Sequence, residues 1–92
     1  MTIKILVIDD DPVIRLLAVE KLAEDGFQVI EAADAASGLQ LIAAEKPDLV
    51  LLDVILPDTD GYQVCRQLRA QPAAQHLPIV MLTGLDDSQS IV

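Results

Sequence analysis

A chain of 92 residues is long enough for one domain and too short for two. Six basic residues face fifteen acidic ones, and the resulting formal charge of −9 excludes nucleic acid and anionic membranes as direct partners of this segment while favouring a divalent cation. Leu, Ile, Val and Ala must fill the core, because 52% of residues are apolar but only 2% aromatic; no run is long enough to span a bilayer, "MTIKILVIDDDP" is no secretory signal, and the single Cys65 makes no internal disulfide, so a cytoplasmic location is expected.

"KILVID" (Lys4 to Asp9) is a continuous apolar run rich in β-branched residues, the pattern of a strand buried on both faces. Asp11 can cap a helix that Pro12 opens, and Val13, Leu16, Leu17, Leu22 and Ala23 recur near helical spacing as its core positions, with Gly26 as a stop. "FQVIEA" predicts a shorter, more polar strand at an edge. A second helix is expected over Ala35 to Glu45, capped by Asp34, turning Leu39 and Ile42 inward and ended by Pro47. "DLVLLD" predicts a third buried strand, followed by a loop holding Pro57 and Gly61. A third helix is expected from about Tyr62 to Ala70, with Asp60 as cap and Pro72 as breaker. "PIVMLT" (Pro78 to Thr83) predicts the fourth strand, after which Asp86 or Asp87 can cap a fourth helix.

Strands that alternate with helices pair in parallel through right-handed crossovers, which predicts a doubly wound α/β sheet. Such sheets bind ligands beyond the carboxyl ends of their strands. Asp9 ends the first strand, Asp53 the third and Thr83 the fourth, so all three are expected at one edge. Two carboxylates about 4 Å apart repel by roughly 4 kcal/mol at an effective dielectric of 20, so Asp9, Asp10 and Asp53 either hold protons above the usual pH or recruit a cation. Oxygen ligands favour Mg²⁺, which keeps waters that phosphoryl oxygens can replace. A carboxylate beside that ion can attack phosphorus to give an aspartyl-phosphate, with the Thr83 hydroxyl and the N–H groups after Asp53 donating to the transferred group. The plain alternatives are solvated loop acids at Asp9 and Asp10, an exposed strand-end acid at Asp53, and ordinary strand propensity at Thr83. Asp11, Asp58 and Asp60 read as cap or turn residues, Cys65 as packing, and His76 as solvated.

"ILVIDDDP", "LVLLDVILPDTDGYQV" and "LPIVMLTG", in this order and spacing, resemble the receiver domain of two-component response regulators. The resemblance covers almost the whole chain. It implies a flavodoxin-like three-layer α/β/α fold with strand order 2-1-3-4, residues 1–92 forming four βα units and the fifth unit missing. It implies Asp53 as phosphoacceptor, Asp10 as a direct Mg²⁺ ligand, Asp9 as a ligand through water, the Ile55 backbone carbonyl as a further ligand, and Thr83 as the switch hydroxyl with the small Gly84 beside it. Pro57 and Gly61 match the family's loop, and Leu56 stands where Met is common. Ile55 and Leu85 occupy places that tune hydrolysis of the acyl phosphate.

The implied function is to accept a phosphoryl group from a sensor histidine kinase or phosphotransfer protein and to switch an output through Thr83 and the fourth helix. On this reading the chain is no enzyme beyond its own phosphorylation and dephosphorylation. Arg15 and Leu16 on the first helix are candidates for kinase specificity. The sequence departs from the family where a fifth-strand lysine and aromatic are expected; Lys4, Lys21 and Lys46 do not replace that lysine, so phosphorylation is expected to be slow or absent. An unpaired fourth-strand edge predicts self-association. The rival readings are a pseudo-receiver that binds partners without phosphorylation and a Mg²⁺-dependent phosphatase with an aspartyl nucleophile. The D-x-D-x-T pattern of the latter is broken here by Pro12 and Val13.

Overall fold

The computed structural model describes residues 2–82 and 90–91. β1 (Lys4–Ile8), α1 (Pro12–Glu24), β2 (Gln28–Ala32), α2 (Ala35–Glu45), β3 (Leu49–Asp53), α3 (Gly61–Arg69), a 3₁₀ turn (Pro72–Ala74), β4 (Ile79–Leu82) and β5 (Ser90–Ile91) follow in chain order. The sheet runs β2-β1-β3-β4-β5. The first four strands are parallel, with Ile5 opposite both Val29 and Leu49, and Val50 opposite Ile79. This is the expected flavodoxin-like order 2-1-3-4. β5 adds an antiparallel pairing, Val80 with Ile91 and Met81 with Ser90, along the edge of β4 that was expected to be free. The fourth helix expected after Asp86 or Asp87 is replaced at residues 90–91 by β5, which pairs with β4, while residues 83–89 lie outside the described residues.

β1 is an interior strand between β2 and β3, and Leu6, Val7 and Ile8 are fully buried, as its unbroken apolar run requires. Leu6, Ile8, Val50, Leu52, Ile79 and Met81 meet Ile42 of α2 and Val64, Cys65 and Leu68 of α3 in the main core. Burying one such side chain fully contributes about 1.5–3 kcal/mol. The helix caps follow the sequence. Asp11 accepts from the N–H groups of Val13 and Ile14, Asp34 from Ser37, and Asp60 from Gln63. Gly26, at φ 93°, provides the left-handed turn that stops α1.

α1 departs from its expected packing. Val13, Leu16 and Leu17 are 63%, 56% and 59% exposed, and no residue of the helix is fully buried. The half-buried line is Arg15, Ala18, Val19 and Leu22, at i, i+3, i+4 and i+7. The helix is apolar around most of its circumference, so spacing alone does not say which stripe faces inward. α1 rests on β1 and β2, and the same face of β3 and β4, at Leu49, Leu51, Val80 and Leu82, stays half-buried.

Candidate functional site

The carboxyl ends of β1 and β3 are adjacent because Ile8 pairs with Leu52. Asp9 and Asp53 therefore leave neighbouring strands at the same edge. The structure brings Asp9, Asp10 and Asp53 together, with one carboxylate oxygen of each within 4.8 Å of the others. Asp9 is buried, Asp53 half-buried and Asp10 exposed. Asp9 continues the ladder past β1, since its N–H donates to the Ala32 carbonyl at 3.1 Å. Its Oδ1 accepts from the Asp11 N–H at 2.9 Å, closing a turn that aims the carboxylate at the cluster.

Burial, then the negative charge of Asp9, raise the Asp53 carboxyl above its ordinary range, and Asp10 adds to the rise. The N–H groups of Ile55 and Val54 bond the same carboxylate and act in the opposite sense. These donors begin a short ladder. The Gly61 N–H donates to the Val54 carbonyl at 2.6 Å and the Leu56 N–H to the Thr59 carbonyl at 3.0 Å, around the bridge between Ile55 and Asp60. Neither bond uses the Ile55 carbonyl. The three carboxylates form an oxygen-only donor set, which suits a hard divalent cation. Thr83, Gly84 and Leu85 lie outside the described residues.

Two residues near the site have roles that the sequence reading missed. Arg15, expected only as a specificity candidate, donates from Nη1 to the Asp9 carbonyl at 2.7 Å and from Nε to Glu31 Oε1 at 2.9 Å. It holds the end of β1 against β2 without touching the acid cluster's oxygens in these bonds. Its position on the first turn after Asp11 is the only sequence signal. Arg15→Ala is expected to cost about 1.5–3 kcal/mol, the worth of a charge-assisted bond to a carbonyl. Glu31→Gln should cost near zero, because Glu31 is exposed. Thermal melts of the two variants separate these contributions, and equal losses would contradict the assignment. The second residue, Asp58, was read as a turn residue; it accepts hydrogen bonds from Ala35 and Ala36, in a separate element. Cys65 is packed as expected, its Sγ lying 3.7 Å from Met81 Sδ, and burial pushes its thiol up.

The family profile of the response regulator receiver domain matches residues 5–92. The chain is 41% identical over 87 residues to the response regulator PleD of Caulobacter vibrioides, covering 94% of this chain and 19% of that protein. It is 46% identical over 87 residues to the alkaline phosphatase synthesis transcriptional regulatory protein PhoP of Bacillus subtilis, covering 95% of this chain and 35% of that one. It therefore spans about a third or less of these relatives. A putative response regulator from Chloroflexus aurantiacus superposes with a TM-score of 0.91 at 36% identity, over 95% of this chain and 71% of that one. The chemotaxis response regulator CheY4 of Vibrio cholerae gives a TM-score of 0.89 at 29% identity, over 95% and 72%. With this fold, this order of strands and these acids at the strand ends, the chain belongs to the response regulator receiver family.

Proposed function

We propose that this receiver accepts a phosphoryl group on Asp53 from the phosphohistidine of a sensor kinase or phosphotransfer protein. The observation that carries the reading is the meeting of Asp9, Asp10 and Asp53 within 4.8 Å. Asp9, Asp10, Asp53 and the Ile55 carbonyl are the residues that would hold Mg²⁺. The ion, when bound, neutralises charge on the transferring phosphoryl group. A carboxylate oxygen of Asp53 forms the new O–P bond, the P–N bond breaks, and the departing imidazole keeps the electron pair and takes a proton. The Val54 and Ile55 N–H groups orient the Asp53 carboxylate for this attack. Thr83 supplies the hydroxyl that follows the phosphoryl group. Lys4 is bonded to Glu45 at the amino end of β1, and Lys46 caps the end of α2, so neither is placed as a partner of the acids.

The protein is read as a cytoplasmic signalling domain that turns over only its own phosphate and makes no direct contact with nucleic acid or membrane. No helix among the described residues is long and apolar enough to cross a membrane. Self-association through β4 would require β5 to yield its place to a second copy, as in a strand swap. The deciding experiment adds a small phosphodonor, such as acetyl phosphate or phosphoramidate, with Mg²⁺, and weighs the intact protein. Wild type is expected to gain one phosphoryl group and Asp53→Asn none, with uptake lost in chelator. Partner binding without uptake would mean a pseudo-receiver instead. Repeated hydrolysis of a phosphate ester would mean a phosphatase.

A further inference from the structure

The loop between β3 and α3 carries both the N–H groups that bond Asp53 and the Ile55 carbonyl. It is a small ladder closed by a turn, with Pro57 and Asp58 at the tip between Leu56 and Thr59. Only the side chain of Leu56 is buried; Ile55 is 76% exposed and Pro57 and Asp58 are exposed. Such a loop needs an anchor at its tip, and Asp58 is that anchor. Its Oδ1 accepts from the Ala35 N–H and its Oδ2 from the Ala36 N–H, both at 3.0 Å. Asp34 takes the next N–H, that of Ser37, at 2.8 Å. The first turn of α2 is thus capped by two carboxylates, one its own and one lent by the loop. The bonds from Ala35 and Ala36 hold the Asp58 carboxyl below its ordinary range.

α2 is itself seated on β1, since Gly38 has no side chain and packs against Ile8, the residue before Asp9. The loop after Asp53 is therefore fastened, through Asp58 and α2, to the strand that leads into Asp9. We propose that Asp58 is a positioning residue: its two-pronged bond to the start of α2 fixes the β3–α3 loop relative to Asp9 and so sets the affinity of the acid cluster for Mg²⁺ and the rate at which Asp53 accepts phosphoryl. This deepens the function proposed above and rests on it.

The test compares Asp58→Ala, Asp58→Asn and Asp34→Ala with wild type in the same protein. Calorimetric titration reads the Mg²⁺ affinity, acetyl phosphate uptake reads the rate, and a thermal melt reads stability. Asp34→Ala removes a cap from the same helix without releasing the loop, so it controls for a merely structural role. Asp58→Ala is expected to weaken Mg²⁺ binding about 10-fold, the lower end of what loss of an outer-shell partner does, and to slow uptake in step. Asp58→Asn keeps one accepting oxygen and should fall between. Asp34→Ala should lower the melting temperature while leaving Mg²⁺ affinity and uptake at the wild-type level. Unchanged affinity and uptake in Asp58→Ala, or an equal loss in Asp34→Ala, would overturn the proposal and leave the phosphoacceptor reading standing. A wild type that binds Mg²⁺ but takes up no phosphoryl group would overturn that reading, and the titrations would still decide the role of Asp58 in cation affinity. A wild type that binds no Mg²⁺ would overturn both.

Discussion

Alanine at Gly61 is expected to lower the melting temperature by roughly 10–20 °C, a loss of about 2–3 kcal/mol in a domain of this size. A Cβ at this position would stand 2.6 Å from the Asp53 carbonyl oxygen, 2.7 Å from Met81 Cε and 3.2 Å from Val54 Cα. Met81 is fully buried and has little room to retreat, and the other two contacts are main chain. Relief therefore requires the start of α3 to move away from the end of β3. That movement strains the bond from the Gly61 N–H to the Val54 carbonyl and shifts the loop that bonds Asp53. Weaker Mg²⁺ binding should accompany the loss of stability. Gly38→Ala is the informative comparison, because there the added Cβ meets only the side chain of Ile8. It should cost less, since a side chain gives way more readily than main chain. Circular dichroism melts are the measurement, and a Gly61→Ala chain melting with wild type would remove the close-approach argument.

Asp53→Asn should have the opposite sign and stabilise the protein at neutral pH. The folded-state pKa of Asp53 is raised, first by burial and then by Asp9. The ionised form is thus penalised in the fold more than in the unfolded chain. The penalty is absent below the unfolded pKa, grows as pH climbs towards the folded pKa, and is complete above it. Unscreened, a pair of charges at the 4.8 Å outer limit of the cluster repels by about 3.5 kcal/mol at an effective dielectric of 20. Asp10 is exposed and Asp53 only half-buried, so solvent cuts the real gain to about 1 kcal/mol, or roughly 4–8 °C in melting temperature. The advantage of the variant should vanish as the pH is lowered through the carboxylate range. Magnesium should reverse the order at neutral pH. Ligand at a hundredfold excess over its Kd adds about 2.7 kcal/mol to the state that binds it, and the variant has one anionic ligand fewer. Melts at two pH values with and without Mg²⁺ test the whole sequence of signs. A variant less stable than wild type without metal would show that the three acids do not strain the fold.

Strand and helix positions were readable because each rests on local chemistry. Buried strands need unbroken apolar runs, and Asp11, Asp34 and Asp60 each accept main-chain N–H bonds that any capping acid at that position would take. The meeting of Asp9, Asp10 and Asp53 was readable too, since parallel order alone delivers the ends of β1 and β3 to one edge. Tertiary partners were not. Asp58 looks like any turn acid until α2 is placed beside it, and nothing near Arg15 in sequence names the Asp9 carbonyl or Glu31 as its acceptors. α1 misled because its apolar residues are more numerous than its neighbours can cover. β5 is two residues long, below the length at which alternation carries a signal.

β1, the earliest described strand in chain order, is flanked in the sheet by β2 on one side and by the much later β3 on the other. Lys4 finds Asp48 across a sequence separation of 44, and Ile5 to Ile8 pair with Leu49 to Leu52. Until that later segment has been translated, one side of β1 has no lasting partner, and a nascent chain must carry a strongly apolar strand with open main-chain groups. Closing so long a loop before any reward is gained slows folding, and it makes the half-made chain the form most exposed to aggregation or capture by a chaperone.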